Sequence, residues 1–382
     1  MADETFDYTQ PEYEWRCEKR CIFEPRHVNS ESLKSFPTNY TSVCGYLLFD
    51  ENTNSTVTQM TEVFKNMNTL YGMVHVMNTN FTNLEFLDGL ETLECAFEQN
   101  FVVQHNPYLT EIGISSFWKT SCGINFNYNP KMEKLGLPNF QHFYLMGIEK
   151  LSIVMVDLAP NFCLTFEEVT ALFKSDYVTP VGGSMISAAY CPYVPFDESQ
   201  KFCEVKNFDL ANFDPTCQQI YGQVVVRHGD ELLVNKLKNV TWIFGELLVN
   251  GTQLESIDFL DNLEQVVSLD ANATFPALYI SNNPFLSNAT FPKLRNVIGG
   301  TDPFRFVGNA ESLYSDPRVC LKIQKMMRTQ QPMPVVNGKN CEQLHSLYDA
   351  RITKDAPASI DTSAKEGSKI TVNSLFVYSD NS

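Results

Sequence analysis

A mainly β chain with short helices, arranged as two tandem leucine-rich-like solenoid units, is the fold this 382-residue sequence predicts. Three observations carry that expectation. One stretch occurs twice, short strand-like segments return at near-regular intervals, and Asn-Pro turns end several of them. The duplicated stretch is residues 72–91 (GMVHVMNTNFTNLEFLDGLE) and 245–264 (GELLVNGTQLESIDFLDNLE). Set side by side without a gap, they share Gly72/Gly245, Val76/Val249, Thr79/Thr252, Phe86/Phe259, Leu87/Leu260, Asp88/Asp261, Leu90/Leu263 and Glu91/Glu264. That is eight identities in twenty positions, where chance gives about one. Val74 also answers Leu247. One unit was used twice, and the function must suit a duplicated unit.

In chain order, residues 1–20 read as a disordered lead that contains Cys17. Strand-like segments follow at 45–49, 72–76, 101–104 and 123–126, with starts 27, 29 and 22 residues apart. Each is brief, alternating, and bounded by Asn, Pro or Gly. In a solenoid, each turn of the chain adds one strand to a parallel sheet, at about this spacing. The gaps show no convincing amphipathic helix, which argues against a doubly wound α/β fold. Asn106-Pro107, Asn129-Pro130 and Asn283-Pro284 end segments: Asn bonds the turn backbone through its side chain, and Pro forbids further ladder pairing. Each half closes with Cys163 or Cys320 followed by a helix-length run, LTFEEVTALFKS or LKIQKMMRTQ, expected to cover the open end of its unit. Residues 192–216 are rich in Asp, Phe and Pro. The tail from about 351 is small and polar and is expected to be disordered.

The net charge is −17 and the pI about 4.8, a surface that repels phosphate backbones and argues against nucleic acid as a partner. Eleven cysteines are dispersed, with no C-x-x-C pair and no His cluster beside them. Dispersed Cys without metal spacing favours disulfides and an oxidising compartment. Cys17 and Cys21, at i and i+4 with no partner cluster, are disulfide candidates rather than metal ligands. The odd count leaves at least one Cys free or paired between chains. Sequons stand at Asn39, Asn54, Asn80, Asn239, Asn250, Asn272 and Asn288. On an Asn-rich chain roughly four or five arise by chance, so they weigh lightly. No run of 18 apolar residues is present to span a membrane. Residues 1–30 lack the apolar core of a signal segment. The cysteines and sequons nevertheless favour secretion, with a signal segment expected outside this sequence.

The motifs G-x-S-x-G, H-E-x-x-H and G-x-x-x-x-G-K-[ST] are absent, and the many Asp and Glu read as solvated surface. The chain is expected to be no enzyme and to need no cofactor or metal. Strand alternation then indicates a binding face. Leu47, Phe49, Val74, Val76, Phe101, Val103, Ile124 and Phe126 should face inward. Tyr46, Leu48, Met73, His75, Val102, Gln104, Asn125 and Asn127 should face outward. Stacked, Tyr46, Leu48, Met73, His75 and Val102 make an apolar, aromatic-tipped stripe of the kind that marks partner sites. His75 should add pH sensitivity near its ordinary value of about 6.5 if a partner carboxylate meets it. The outward set of the second half is Gln223, Val225, Arg227, Glu246, Leu248, Tyr279 and Arg305. It is more charged, so the first half is expected to carry more of any affinity.

The order of these features, found twice, resembles the receptor L domain, the ligand-binding lobe of the insulin and epidermal growth factor receptors. The residues that carry the likeness are Ile220-Tyr221-Gly222 opening the second unit, the F-L-x-x-L-E signature, the strand-Asn-Pro turns and the Cys that closes each half. The arrangement is most similar to nematode proteins that carry two L domains and little else. The receptors' Cys-rich module is missing between the units, where only Cys191 and Cys203 stand, and there is no kinase signature. The resemblance implies two right-handed β-helices. The expected division is a lead at 1–20, units at 21–192 and 203–350 with a connector at 193–202, and a tail at 351–382. It also implies an extracellular recognition role on the sheet face of the first unit, bearing Tyr46, Leu48, Met73, His75, Val102, Gln104 and Asn125. The partners implied are insulin-like or EGF-like peptides or a receptor ectodomain. The alternative is a secreted structural or adhesive leucine-rich-type protein. The expected disulfides are Cys95–Cys122, Cys163–Cys191, Cys203–Cys217, Cys320–Cys341 and Cys21–Cys44, with Cys17 as the other candidate partner of Cys44.

Overall fold

A computed structural model describes residues 17–95, 100–144, 151–174, 185–195, 199–269, 276–299, 303–315, 335–336, 339–340 and 342–347. Among these the chain is mainly β, with few helices, including Val57–Phe64, Phe166–Lys174 and Ser312–Ser315. In the first half the strands Ser42–Phe49, Thr69–Met77, Asn100–Gln104, Gly123–Asn129 and Ile153–Leu158 lie side by side in sequence order, all parallel. The eight residues expected to point inward are all 1% exposed or less. Period-two alternation sends one face of each strand into a shared core. Aromatic contacts knit that core, for example Phe101 on Phe126 at 5.1 Å between ring centroids.

Thr69–Met77 is long because it serves two ladders. Its last residues pair with Asn100–Gln104, and its first three pair with Thr92–Glu94. Thr92–Glu94 begins a narrower row continued by Lys119–Thr120 and His142–Phe143. Gly72 stands at the division, at φ +145°, where a Cβ would come within 1.9 Å of the Gly45 carbonyl oxygen. Only glycine tolerates both the angle and the approach. In the second half the same two rows are separate five-stranded parallel sheets. The narrower holds Phe202–Glu204, Gln219–Tyr221, Trp242–Phe244, Gln265–Val267 and Asn296–Ile298; the other holds Val224–Arg227, Leu247–Asn250, Leu278–Ser281, Phe304–Val307 and Val335–Val336. Gly245 separates them as Gly72 does, with φ +147° and a would-be Cβ 2.3 Å from the Gly222 carbonyl oxygen.

The Asn-Pro turns form a buried column. Asn106 Oδ1 accepts from the Thr79 backbone N–H and hydroxyl at 3.0 and 2.7 Å, and its Nδ2 donates to the Val76 and Gln104 carbonyls. Its own N–H donates to Asn129 Oδ1 at 3.0 Å. The second half repeats most of these bonds. Asn283 Oδ1 accepts from Thr252 N–H and Oγ1 at 2.9 and 2.7 Å, and Asn309 Oδ1 accepts from the Asn283 N–H at 3.2 Å. The residue before each of these asparagines has positive φ: His105, Tyr128, Asn282 and Gly308. The shared F-L stretch is a 3-10 turn in both halves, Glu85–Leu87 and Asp258–Leu260, and Leu87 and Leu260 are each 1% exposed.

One expectation about helices needs revision. The gap after the first long strand does hold a helix, Val57–Phe64, capped by the reciprocal Thr56–Gln59 box and burying Met60 and Phe64. Its apolar residues, Val57, Met60, Val63 and Phe64, do keep helical spacing, but over only two turns. The helix Phe166–Lys174 lies where expected, started by a reciprocal pair in which Thr165 N–H donates to the Glu168 carboxylate and Glu168 N–H to Thr165 Oγ1. It also faces the second half: the Phe173 carbonyl accepts from Gln265 Nε2 at 3.2 Å and Asn296 Nδ2 at 2.9 Å. Tyr190 Oη donates to the Val267 carbonyl at 2.6 Å beside Phe166 and Phe244. Burial holds the Tyr190 hydroxyl well above its ordinary pKa. The closing run after Cys320 lies outside the described residues, as do residues 1–16 of the expected lead and the tail from 351; the rest of the expected lead, 17–20, is ordered, with Cys17 bonded to Cys44 and Lys19 opening a 3-10 turn.

The structure bonds Cys95 to Cys122, Cys163 to Cys191 and Cys203 to Cys217. The remaining bond corrects the expectation for Cys44. It pairs with Cys17, and Cys21 is a free, buried thiol. Ile22, not Cys21, takes the register place opposite Cys44. Cys21 ends a 3-10 turn, Lys19–Cys21, and its Sγ donates back to the Glu18 carbonyl at 3.1 Å. Burial raises its pKa. Cys320 and Cys341 lie outside the described residues.

Candidate functional site

The outward residues of the first half stand in rows set by parallel register. Tyr46 neighbours Met73; Leu48, His75, Val102, Asn125 and Val154 follow one another across the sheet; Gln104 lies between Met77 and Asn127. Neighbours in a row are about 4.8 Å apart, close enough for one ligand side chain to touch two of them. Tyr46, Leu48, Met73, His75, Gln104 and Asn125 are half-buried. Val102 departs from the expectation of an open position, being only 9% exposed. It is short, and the longer His75 and Asn125 flank it in the ladder.

Residues 26–28 border the face. Leu48 donates its N–H to the Arg26 carbonyl at 3.0 Å and accepts from the Val28 N–H at 2.8 Å. The Arg26 guanidinium lies 6.0 Å from the centroid of the Tyr46 ring, at the outer limit of a cation–π contact. His27 Nδ1 meets Asp50 Oδ2 at 2.9 Å. Burial, and then the charge of Arg26, lower the pKa of His75 to about 4. Its imidazole is therefore neutral at physiological pH in the chain without a partner. The result is an apolar and aromatic face with neutral amides at one side, suited to desolvating apolar side chains of a partner.

The second half presents a different face. Val225, Leu248, Tyr279 and Arg305 make one row, and Arg227, Asn250, Ser281 and Val307 the next. Leu248 is 7% exposed despite its outward position. Gln223 Nε2 donates to the Glu246 carboxylate at 3.1 Å, so polar groups there are already engaged.

One feature went unread in the sequence. His105 stacks on Tyr128 at 4.6 Å with the planes 4° apart, and Lys131 sits 4.7 Å above the Tyr108 ring. These side chains line the strand ends. The signal was present: an aromatic follows Asn-Pro in both halves, as Tyr108 and Phe285, and both are about half exposed. A cleft lined by Gly136, Leu137, Phe140, Thr165, Glu168 and Cys191 holds a buried carboxyl whose pKa burial raises, but Glu168 is committed to starting its helix. Among the described residues no group of three metal-ligating side chains occurs, and no helix is long and apolar enough to cross a membrane. Of the sequon asparagines, Asn39, Asn54, Asn80, Asn239, Asn250 and Asn288 are exposed, and Asn272 lies outside the described residues.

The family model described as Receptor L domain matches residues 39–134 and again residues 216–325. The matches cover the column, corner glycine and 3-10 turn of each half. A curated relative, Protein irld-34 of Caenorhabditis elegans, is 20% identical over 274 residues, which is 69% of this chain and 62% of the relative. The chain thus spans under two thirds of that protein's length.

Proposed function

The chain belongs to the receptor L domain family, and on that premise we propose that it is a non-catalytic, extracellular recognition protein. Its ligand is an insulin-like or EGF-like peptide, or a receptor ectodomain. We read residues 21–192 and 203–350 as two right-handed β-helical units joined by 193–202, because their parallel strands pair in sequence order. Four disulfides accord with an oxidising compartment. The role that suits such a chain is to sequester a peptide or to pair with a signalling receptor.

The observation that carries this reading is the register of Tyr46 beside Met73 and of Leu48 beside His75 and Val102. It gathers a phenol, a thioether and a neutral imidazole on one face, with the Arg26 guanidinium at its border. Aromatic and Met side chains offer large contact area, and Met repacks around different partners. The test is surface plasmon resonance against a panel of insulin-like and EGF-like peptides. Tyr46→Ala combined with Met73→Ala should weaken binding by at least about 2 kcal/mol, roughly 30-fold. The melting temperature should fall by no more than a few degrees. Val225→Ala with Glu246→Ala, at outward positions of the second half, should leave affinity within about 0.5 kcal/mol. Unchanged binding in the first variant would move the site elsewhere. A collapse of its stability would make the stripe core. A wild-type chain that ignores every peptide yet adheres to matrix would support the structural and adhesive alternative.

A further inference from the structure

The six exposed sequon asparagines are not equivalent. Asn250 is the one, among the described residues, that sits within a sheet strand, as the last residue of Leu247–Asn250. Alternation places it on the same outward face as Leu248, about 7 Å away along the strand. Arg227 and Ser281 flank it in register. Its Oδ1 accepts from Ser281 Oγ at 3.0 Å and from Asn282 Nδ2 at 3.1 Å. These bonds fix the carboxamide by its oxygen, and Nδ2, the atom that takes a sugar, makes no hydrogen bond to any described residue. The space beyond is open: a Cβ built on the next residue, Gly251, would meet nothing within 4 Å. By contrast Asn239 Nδ2 donates to the Pro215 carbonyl and Asn288 Nδ2 to Asp258 Oδ1. In the gapless alignment of the two halves Asn250 corresponds to Met77, so the first half has no sequon at this place on its face.

We propose that Asn250 carries an N-linked glycan that covers the outer sheet face of the second half and leaves the face of the first half as the one open to a partner. This rests on the extracellular reading above. In the transfer, Nδ2 attacks the anomeric carbon of an oligosaccharide carried on a lipid pyrophosphate. The C–N bond forms, the C–O bond to pyrophosphate breaks, and one amide proton is lost as the lipid pyrophosphate departs. Thr252, the third residue of the sequon, is fully buried with its hydroxyl bonded to Asn283 Oδ1. The transfer therefore precedes closure of this turn, during synthesis of the chain. A bulky, hydrated glycan at this point stands over Arg227, Leu248 and Tyr279.

The full chain secreted from insect cells tests this. Enzymatic deglycosylation in heavy-oxygen water converts each glycosylated Asn to labelled Asp, which peptide mass spectrometry locates. Asn250 should be labelled in most molecules. Asn250→Asp keeps an acceptor for Ser281 and Asn282 but takes no glycan. Its Tyr279 should react several-fold faster with a tyrosine-directed reagent, while Tyr46 reacts at the wild-type rate and melting is unchanged. Label at Asn39 and Asn80 with none at Asn250 would overturn this inference alone. Label at no site would overturn it together with the extracellular reading. Occupancy at Asn250 with Tyr279 equally reactive in both proteins would overturn the shielding.

Discussion

The two halves agree inside and differ outside. Both hold a positive-φ glycine where the strand rows divide, Gly72 and Gly245, and both hold the Thr–Asn–Asn column of Thr79, Asn106 and Asn129 or Thr252, Asn283 and Asn309. On the outer face the likeness ends. One strand carries Met73, His75 and Met77 where its counterpart carries Glu246, Leu248 and Asn250. What duplication kept is what backbone geometry and buried polar groups require. What changed is the surface those requirements leave free, which is where the proposed recognition face lies.

The comparison breaks most sharply at the corners. Gly72→Ala and Gly245→Ala each force a Cβ into a backbone carbonyl at a positive φ, and each should cost more than about 4 kcal/mol. Chemical denaturation of each variant checks this, and ordinary stability in either would mean that the corner can relax. The buried leucines come next. Leu87→Ala and Leu260→Ala should each lose about 2–5 kcal/mol in the same assay, by similar amounts, because they occupy the same place in matching 3-10 turns. A large inequality would show that the two cores collapse differently around a cavity.

The smallest effect concerns His75. Its folded pKa of about 4 lies below the value of about 6.5 expected unfolded, so between those values the unfolded chain binds more protons. The stability linked to His75 is thus complete above pH 6.5 and is lost as pH falls towards 4. NMR titration should place the midpoint of its imidazole near 4, and His75→Gln should flatten the fall in melting temperature over that window. A midpoint near 6.5 would mean that the face is wetter than its packing implies.

Much of this was legible because a strand has a period of two. Alternation alone assigned Leu47, Phe49, Val74 and Val76 to the core and Tyr46, Met73 and His75 to the outer face. The Asn-Pro turns were legible because few residues can end a strand in that way. What stayed hidden depended on neighbours distant in sequence. Cys17 and Cys21 differ by one helical turn, and only the register of Ile22 against Cys44 decides between them. The shading of Val102 and the neutrality of His75 depend on packing and on the position of Arg26. The hydrogen bonds from Gln265 and Asn296 to Phe173 join segments about a hundred residues apart, and no local pattern announces them.

The asparagine column also gives the folding chain a way to detect a miscount. Gaps between strands vary in length, so loops alone cannot tell a strand when to stop sliding against its neighbour. A slip of one residue would bring Pro107 or His105 to the place of Asn106. Thr79 would then lack its acceptor, and the Val76 carbonyl its donor, in a site with no exposure to water. Leaving such groups unpaired costs about 1–3 kcal/mol each. Misregistered pairings should therefore be short-lived, and each strand that locks correctly presents its own amide as the reference mark for the next.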